Sequence, residues 1–211
     1  PNARPSPPWE VAAAYGAQAA KSYQIDPAVP LQTLALAGVM AEPHEARFTM
    51  TERNTLLYDG IATSVVSSDG TVRIERAVTT YQKNVHDQVD TAFLDSTTLA
   101  TLAYVLRDLR AAITSKYGRH KLANDGTRFG AGQAIITPLI ARGEIVARYT
   151  ALEELGVVEN RKAFKAALIV ERNATDPNRL DVLYPPDLVN QLRIFAVLAQ
   201  FRLQYAETAA A

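Results

Sequence analysis

Apolar positions change their spacing along the chain, and each change marks an element. From Trp9 to Gln24 an Ala-rich run reads as a helix, with Ser6 as its cap and Pro7 at the first helical position; Asp26-Pro27 ends it. Leu31, Leu34 and Leu36 make a short extended run between Pro30 and Gly38, closed by Pro43. Thr49-Met50-Thr51-Glu52 has the form of a capping box and predicts a short helix over Leu56 and Leu57 to Gly60. Ile61 to Val66 and Thr71 to Thr80 are β-rich and flank Ser67-Ser68-Asp69-Gly70. They predict a hairpin with Val72, Ile74 and Val78 on one face.

From Asp95 the spacing is helical. Leu99, Leu102, Leu106, Leu109, Ile113 and Tyr117 recur at alternating steps of three and four, while Arg107, Asp108, Arg110 and Lys116 fall elsewhere. Gly118 stops this helix, and Tyr117 to Gly132 reads as a charged, glycine-rich loop. Thr137 then caps a second helix that starts at Pro138, with Ile145, Tyr149, Leu152 and Leu155 as its apolar stripe up to Gly156. The last third is β-rich: Ala167 to Glu171, Arg179 to Tyr184 and Gln191 to Tyr205, the first two turning at Asp176-Pro177-Asn178. Both faces of the third run are apolar through Phe195 to Ala199, which predicts a buried first half. Strict alternation begins only at Gln200, which predicts an edge or an extension. The fold class read from this pattern is α+β: a mixed sheet with a C-terminal three-stranded meander packed against two main amphipathic helices.

Composition narrows the function classes. In 211 residues, 48% of them hydrophobic, a single core or a compact pair of cores can form without covalent staples. The 22 basic and 22 acidic residues cancel, so bulk charge points to no nucleic-acid or anionic-membrane partner. The absence of cysteine excludes disulfides, thiolate metal sites and cysteine nucleophiles. No apolar stretch approaches the roughly 18 residues of a membrane span, and Pro1 to Pro8 lacks a signal-peptide layout. A chain starting at Pro1 is read as a piece of a longer protein.

Candidate chemistry is sparse. Gly126-Thr127-Arg128-Phe129-Gly130-Ala131-Gly132 invites a phosphate-cradle reading, but Ile135 stands where a dinucleotide fingerprint needs its third glycine, and no Lys-Ser/Thr pair follows. A small phosphate- or ligand-binding enzyme domain built on this loop is the alternative function. His44, His86 and His120 share no metal-ligand spacing. Glu153 and Glu154 point about 100° apart on a helix and cannot share one site. The cluster Lys116, Arg119, Lys121 and Arg128, with Tyr117 and Phe129, has the look of a nucleic-acid surface, but Asp108, Asp125 and overall neutrality favour local ion pairs or a protein patch. No catalytic residue, metal or cofactor is expected.

Several stretches carry a resemblance. They are Pro30-Leu31-Gln32-Thr33-Leu34, Glu52-Arg53-Asn54-Thr55-Leu56-Leu57-Tyr58-Asp59-Gly60-Ile61, Val72-Arg73-Ile74-Glu75-Arg76, and Tyr117 through Gly130 with Gly132-Gln133-Ala134-Ile135. Further on come Ile169-Val170-Glu171-Arg172-Asn173-Ala174, Asp176-Pro177-Asn178-Arg179 and Pro185-Pro186-Asp187-Leu188-Val189-Asn190-Gln191. In order and spacing, from about Pro30 to Tyr205, these resemble the C-terminal half of the tail sheath protein of Mu-like contractile phages and prophages. Gly118 and Ala131 depart from it, standing where relatives tend to carry proline.

The resemblance implies a virion structural protein and no enzyme. Sheath subunits polymerise as stacked hexameric rings around a tail tube, between a baseplate and a tail terminator. They are assembled in the host cytoplasm, and their contraction drives the tube through the host envelope, with no direct nucleic-acid contact and no membrane insertion. It also implies a core domain over residues 1–199, with 1–30 either part of it or the end of a preceding region, and a C-terminal arm over 200–211. Inter-subunit strand exchange falls on Gln200, Phe201, Arg202, Leu203, Gln204 and Tyr205. Two groups are candidates to face the tube: Lys116, Arg119, Lys121 and Arg128 in the loop, and Arg142, Glu144, Arg148 and Glu154 on the second helix.

Overall fold

The computed structural model describes residues 4–201. Its elements are α1 (Pro8–Ile25), a short 3-10 turn (His44–Ala46), α2 (Met50–Tyr58), β1 (Thr63–Val66), β2 (Val72–Arg76) and α3 (Ser96–Tyr117). They continue with β3 (Lys121–Leu122), β4 (Ile135–Ile136), α4 (Pro138–Glu154), α5 (Arg161–Ala167), β5 (Ile169–Arg172) and β6 (Leu180–Leu183). None of these helices is long and apolar enough to cross a membrane.

Local signals place most helix ends. At α2, Thr49 accepts the Glu52 N–H while the Glu52 carboxylate takes the Thr49 N–H at 2.7 Å, the predicted capping box. At α4, Thr137 accepts the Ile140 N–H and Pro138 opens the first turn. At α1 the cap is Pro7, and the predicted role of Ser6 is corrected: its hydroxyl accepts the Met40 N–H at 2.9 Å, tying the entry of the chain to the segment after Gly38.

Two cores form. In the first, Leu31, Leu36, Val72 and Ile74 are buried beneath Ala14, Tyr15, Ala19 and Tyr23 of α1. The extended run after Pro30 lies along β2: Thr33 N–H bonds Ile74 O, Ile74 N–H bonds Leu34 O and Leu36 N–H bonds Val72 O. In the second core, Val105 of α3 meets Ile145, Tyr149 and Leu152 of α4, with Val157, Val158, Phe164 and Leu168 closing it. Tyr149 stacks flat on Phe164 with ring centroids 3.7 Å apart, and Tyr184 meets Phe164 edge-on.

The sheet is not the expected single mixed sheet. β1 and β2 pair antiparallel, β5 and β6 pair antiparallel, and β3 and β4 form a two-residue parallel ladder. That ladder lies inside and just beyond the stretch read as a plain loop, and its strands are too short to leave a period. Nor does the sequence pattern predict α5, which at seven residues is too short to establish a period. The C-terminal meander has two strands among the described residues, because 191–201 adopts no regular strand.

The face that α3 buries differs from its leucine stripe. Thr97, Thr101 and Val105 are buried, whereas Leu99 and Leu106 are 40% and 46% exposed. The predicted stripe reaches the core only from Leu109 and Ile113 onward. Thr101 can sit inside because its hydroxyl bonds Pro27 O at 2.9 Å and Thr97 O at 2.8 Å, leaving its methyl to pack. Likewise α4 buries Ala141 in addition to Ile145, Tyr149 and Leu152, while Leu155 lies exposed at its C-terminal end.

Candidate assembly surface

The C-terminal segment is anchored at its root and bare beyond it. Tyr149 Oη donates to Glu159 O at 2.6 Å and accepts the Asp187 N–H at 3.1 Å, so the buried ring of α4 grips the chain on both sides. Glu159 N–H bonds Asp187 O, Val189 N–H bonds Val157 O, and Asn160 Nδ2 donates to the Asp187 carboxylate at 2.6 Å. Four residues on, the Arg193 guanidinium pairs with Asp95, which also holds Arg76 of β2, and Gln32 Nε2 reaches Leu192 O at 3.2 Å. The root therefore touches both cores.

Past Arg193 the side chains turn outward. Ile194, Phe195, Leu198 and Phe201 are each more than 80% exposed, and Val197 is 68% exposed. Among the described residues, no backbone group of 194–201 hydrogen-bonds another main-chain group. This corrects the expectation of a buried first half: the apolar run faces solvent, because no sheet among the described residues offers it a slot. Of the six strand-exchange candidates, Gln200 and Phe201 lie on this bare segment, and Arg202, Leu203, Gln204 and Tyr205 lie outside the described residues.

The charged candidates for tube contact are largely tied within the chain. The Lys116 ammonium and the Tyr117 hydroxyl both donate to the Glu144 carboxylate, which they hold below its ordinary pKa. Arg148 forms a two-pronged pair with Asp108, and this hydrogen bonding raises the guanidinium pKa. Together these pairs staple α3 to α4, which answers the expectation of local ion pairs at Asp108. Arg142 donates to Lys165 O at 2.7 Å and so closes α5. Lys121 bonds Gln133 at 3.4 Å across the β3–β4 crossover. Arg119, Arg128 and Glu154 form no ion pair among the described residues and stand exposed.

The remaining sequence candidates resolve into structural roles. At the glycine loop, the Asp125 carboxylate accepts the Leu139 N–H at 3.0 Å and Thr137 takes that of Ile140, so the first turn of α4 already holds an anion of the chain itself. Glu153 accepts the Arg161 N–H at 2.9 Å and thereby caps α5, while Glu154 points to solvent. His120 rests edge-on against Tyr117, and His44 and His86 are exposed. Among the described residues, no group of His, Asp and Glu could hold a metal ion.

The C-terminal domain model of phage tail sheath proteins matches residues 88–202, and the central domain model of the same proteins matches residues 1–80. The chain is 45% identical over 199 residues to a Mu-like prophage FluMu tail sheath protein of Haemophilus influenzae, covering 94% of this chain and 41% of that protein. It thus spans about two fifths of that relative's length. Among solved structures, it superposes on a chain of the anti-feeding prophage baseplate with a TM-score of 0.58 at 13% identity, covering 92% of this chain and 49% of the other. A sheath tail protein from Listeria innocua gives 0.57 at 14% identity, covering 78% and 36% of the two chains. One from Desulfitobacterium hafniense gives 0.54 at 12% identity, covering 79% and 35%. At such identities these likenesses speak for a shared fold, one that mixes helices with small sheets.

Proposed function

The chain belongs to the phage tail sheath family, and from that premise we propose that it is the assembly portion of a contractile sheath subunit. In this reading, copies polymerise as stacked hexameric rings around a tail tube, meet the baseplate and the tail terminator at the two ends, and contract to push the tube through a host envelope. The particle it belongs to is the virion, and the work it does is mechanical.

The observation that carries this reading is the anchored root followed by a two-sided apolar segment. Phe195, Val197, Ala199 and Phe201 would line one face of an extended strand, and Ile194, Ala196 and Leu198 the other. A strand apolar on both faces needs cover on both, and six large apolar side chains from Leu192 to Phe201 are exposed here. Strand addition to a neighbouring subunit supplies that cover along with main-chain hydrogen bonds. The arm accordingly starts after Arg193, ahead of the six residues from Gln200 to Tyr205. For the tube, Arg119, Arg128 and Glu154, exposed and without an ion pair among the described residues, are the best of the eight candidates, since a surface that must release during contraction suits polar contacts.

The test is a full-length sheath polypeptide carrying this chain, expressed with and without the residues after Arg193 and viewed by negative-stain electron microscopy. Hollow striated cylinders are expected from the intact protein and none from the truncated one. Cylinders in both would remove the arm from assembly, and discrete particles from the intact protein would overturn the sheath reading.

A further inference from the structure

A small depression of about 250 Å³ lies between the end of α2 and the loop that leads from β2 to α3, walled by Leu57, Tyr58, Val78, Val89 and Leu94. Small-molecule pockets are larger, roughly 300–1,000 Å³, so this one suits a side chain better than a ligand. Three polar side chains on its wall are already committed. The Tyr81 hydroxyl donates to the Asp90 carboxylate at 2.6 Å, Gln82 Nε2 donates to Tyr58 O at 3.1 Å, and Arg76 pairs with Asp95. What remains for a guest is apolar surface, with Tyr58 and Val89 at the rim 79% and 85% exposed.

The bare C-terminal segment starts beside this wall. Val78 and Asp95 face each other in an antiparallel bridge, Thr79 N–H bonds Leu94 O, and the Asp95 carboxylate holds Arg193 at 3.1 Å. Arg76, which Asp95 also holds, lines the depression itself. Phe195 follows Arg193 by two residues, so about 7 Å of extended chain separates it from the anchor. Its ring is 83% exposed. An uncovered aromatic ring and an uncovered apolar depression, both tethered to one carboxylate, lie within reach of each other, and water favours joining them.

We propose that the depression walled by Leu57, Val78 and Leu94 seats the ring of Phe195 from the same chain before assembly, so that the C-terminal segment is a strap poised to close. Closure swings residues 194–198 about the Arg193–Asp95 pair and turns Phe195 inward. The seat covers one ring, whereas a neighbouring sheet edge covers both faces of the segment and pairs its main chain, so strand addition opens the strap. Only the open fraction of free subunits is competent to assemble, which restrains them until a neighbour is at hand. This role rests on the reading of the segment as an assembly arm; the contact of Phe195 with its seat does not.

The contact is tested by fluorescence. Trp9 is the sole tryptophan of the 211-residue chain, so Trp9→Phe/Phe195→Trp puts a single reporter on the strap. Its indole is expected to emit further to the blue than one placed by Trp9→Phe/Phe201→Trp, and to be quenched several-fold less by acrylamide. Adding Val89→Asp, at the exposed rim, is expected to abolish both differences and leave the unfolding midpoint unchanged. Equal quenching at positions 195 and 201, or shielding that survives Val89→Asp, would overturn the proposal. Shielding that grows with protein concentration would also overturn it and assign the depression to a second copy.

The role is tested on a full-length sheath polypeptide, followed by light scattering. Val89→Asp is expected to shorten the lag before cylinders form, since it frees the strap. An unchanged or longer lag would overturn the restraint on assembly. Cylinders that form without the residues after Arg193 would refute the arm instead, so failure of the strap and failure of the assembly reading give different results.

Discussion

Arg193 and Asp95, 98 positions apart in the chain, form an ion pair at 3.1 Å that fastens the root of the C-terminal segment to the N-terminus of α3. Asp95 holds Arg76 at 3.2 Å with the same carboxylate, so one acidic side chain separates two guanidinium groups. Removing Asp95 should therefore cost more than removing either arginine. Asp95→Ala is expected to destabilise the chain by about 2 kcal/mol more than Arg193→Ala, because the two like charges are left facing each other, partly buried. Urea denaturation of both variants and of the double variant Asp95→Ala/Arg193→Ala checks it; additive effects would show that the pair is not coupled.

The Tyr149 hydroxyl is predicted to be worth more than its ring contact alone suggests. Tyr149→Phe keeps the stack on Phe164 but strands Glu159 O and the Asp187 N–H inside. A loss of about 1–3 kcal/mol is expected, together with faster amide exchange at residues 187–189. A stability unchanged within about 0.3 kcal/mol would mean that water replaces the hydroxyl.

The face that α3 buries leads to an inversion of the usual expectation. Leu106→Gln should change stability by no more than about 0.5 kcal/mol, as for an exposed position. Val105→Ala, one residue away and fully buried, should cost on the order of 2 kcal/mol. Thr101→Val is expected to destabilise by about 1 kcal/mol, since the carbonyl of Pro27 loses its donor. Thermal unfolding of the three variants ranks them, and a costly Leu106→Gln would contradict the structure.

Acid should loosen the N-terminal unit through Glu42. Burial by itself pushes this carboxyl up, but the bonds from Arg4 and from its own backbone N–H outweigh burial and hold it below the ordinary value of 4.5. A folded-state pKa below the unfolded one contributes stability that is complete above the unfolded value and is lost as pH falls through the folded one. Stability should therefore be flat in this respect above about pH 5 and fall on acidification below the carboxylate range near 4.3. Glu42→Gln is expected to flatten that acid limb while lowering stability at neutral pH, measured by denaturation at a series of pH values. An unchanged acid limb would place the sensitivity elsewhere.

Local signals made much of the architecture readable in the sequence. Thr49 with Glu52 and Thr137 with Pro138 announce their helices, because a cap acts within three residues of itself. The turns at Ser67–Gly70 and Asp176–Asn178 likewise announce their hairpins, and the quoted motifs resemble the sheath family to which the chain belongs. What stayed hidden depends on partners far along the chain. Thr101 is buried because Pro27 O, 74 residues away, accepts a hydrogen bond from its hydroxyl, so a pattern scored by hydrophobicity selects Leu99 and Leu106 instead.

By itself, then, the sequence determined where α2 and α4 begin, that charge balances within the chain, and that the segment from Ile194 to Phe201 is apolar on both faces. Only the tertiary structure decided which of those apolar surfaces the chain covers. It seats Arg148 on Asp108 and Lys116 on Glu144, closing the α3–α4 face, and it leaves Phe195, Leu198 and Phe201 bare. The physical reason is that periodicity records a demand for burial, whereas its supply depends on the space other elements leave. For the C-terminal segment, none of the three short ladders among the described residues supplies it.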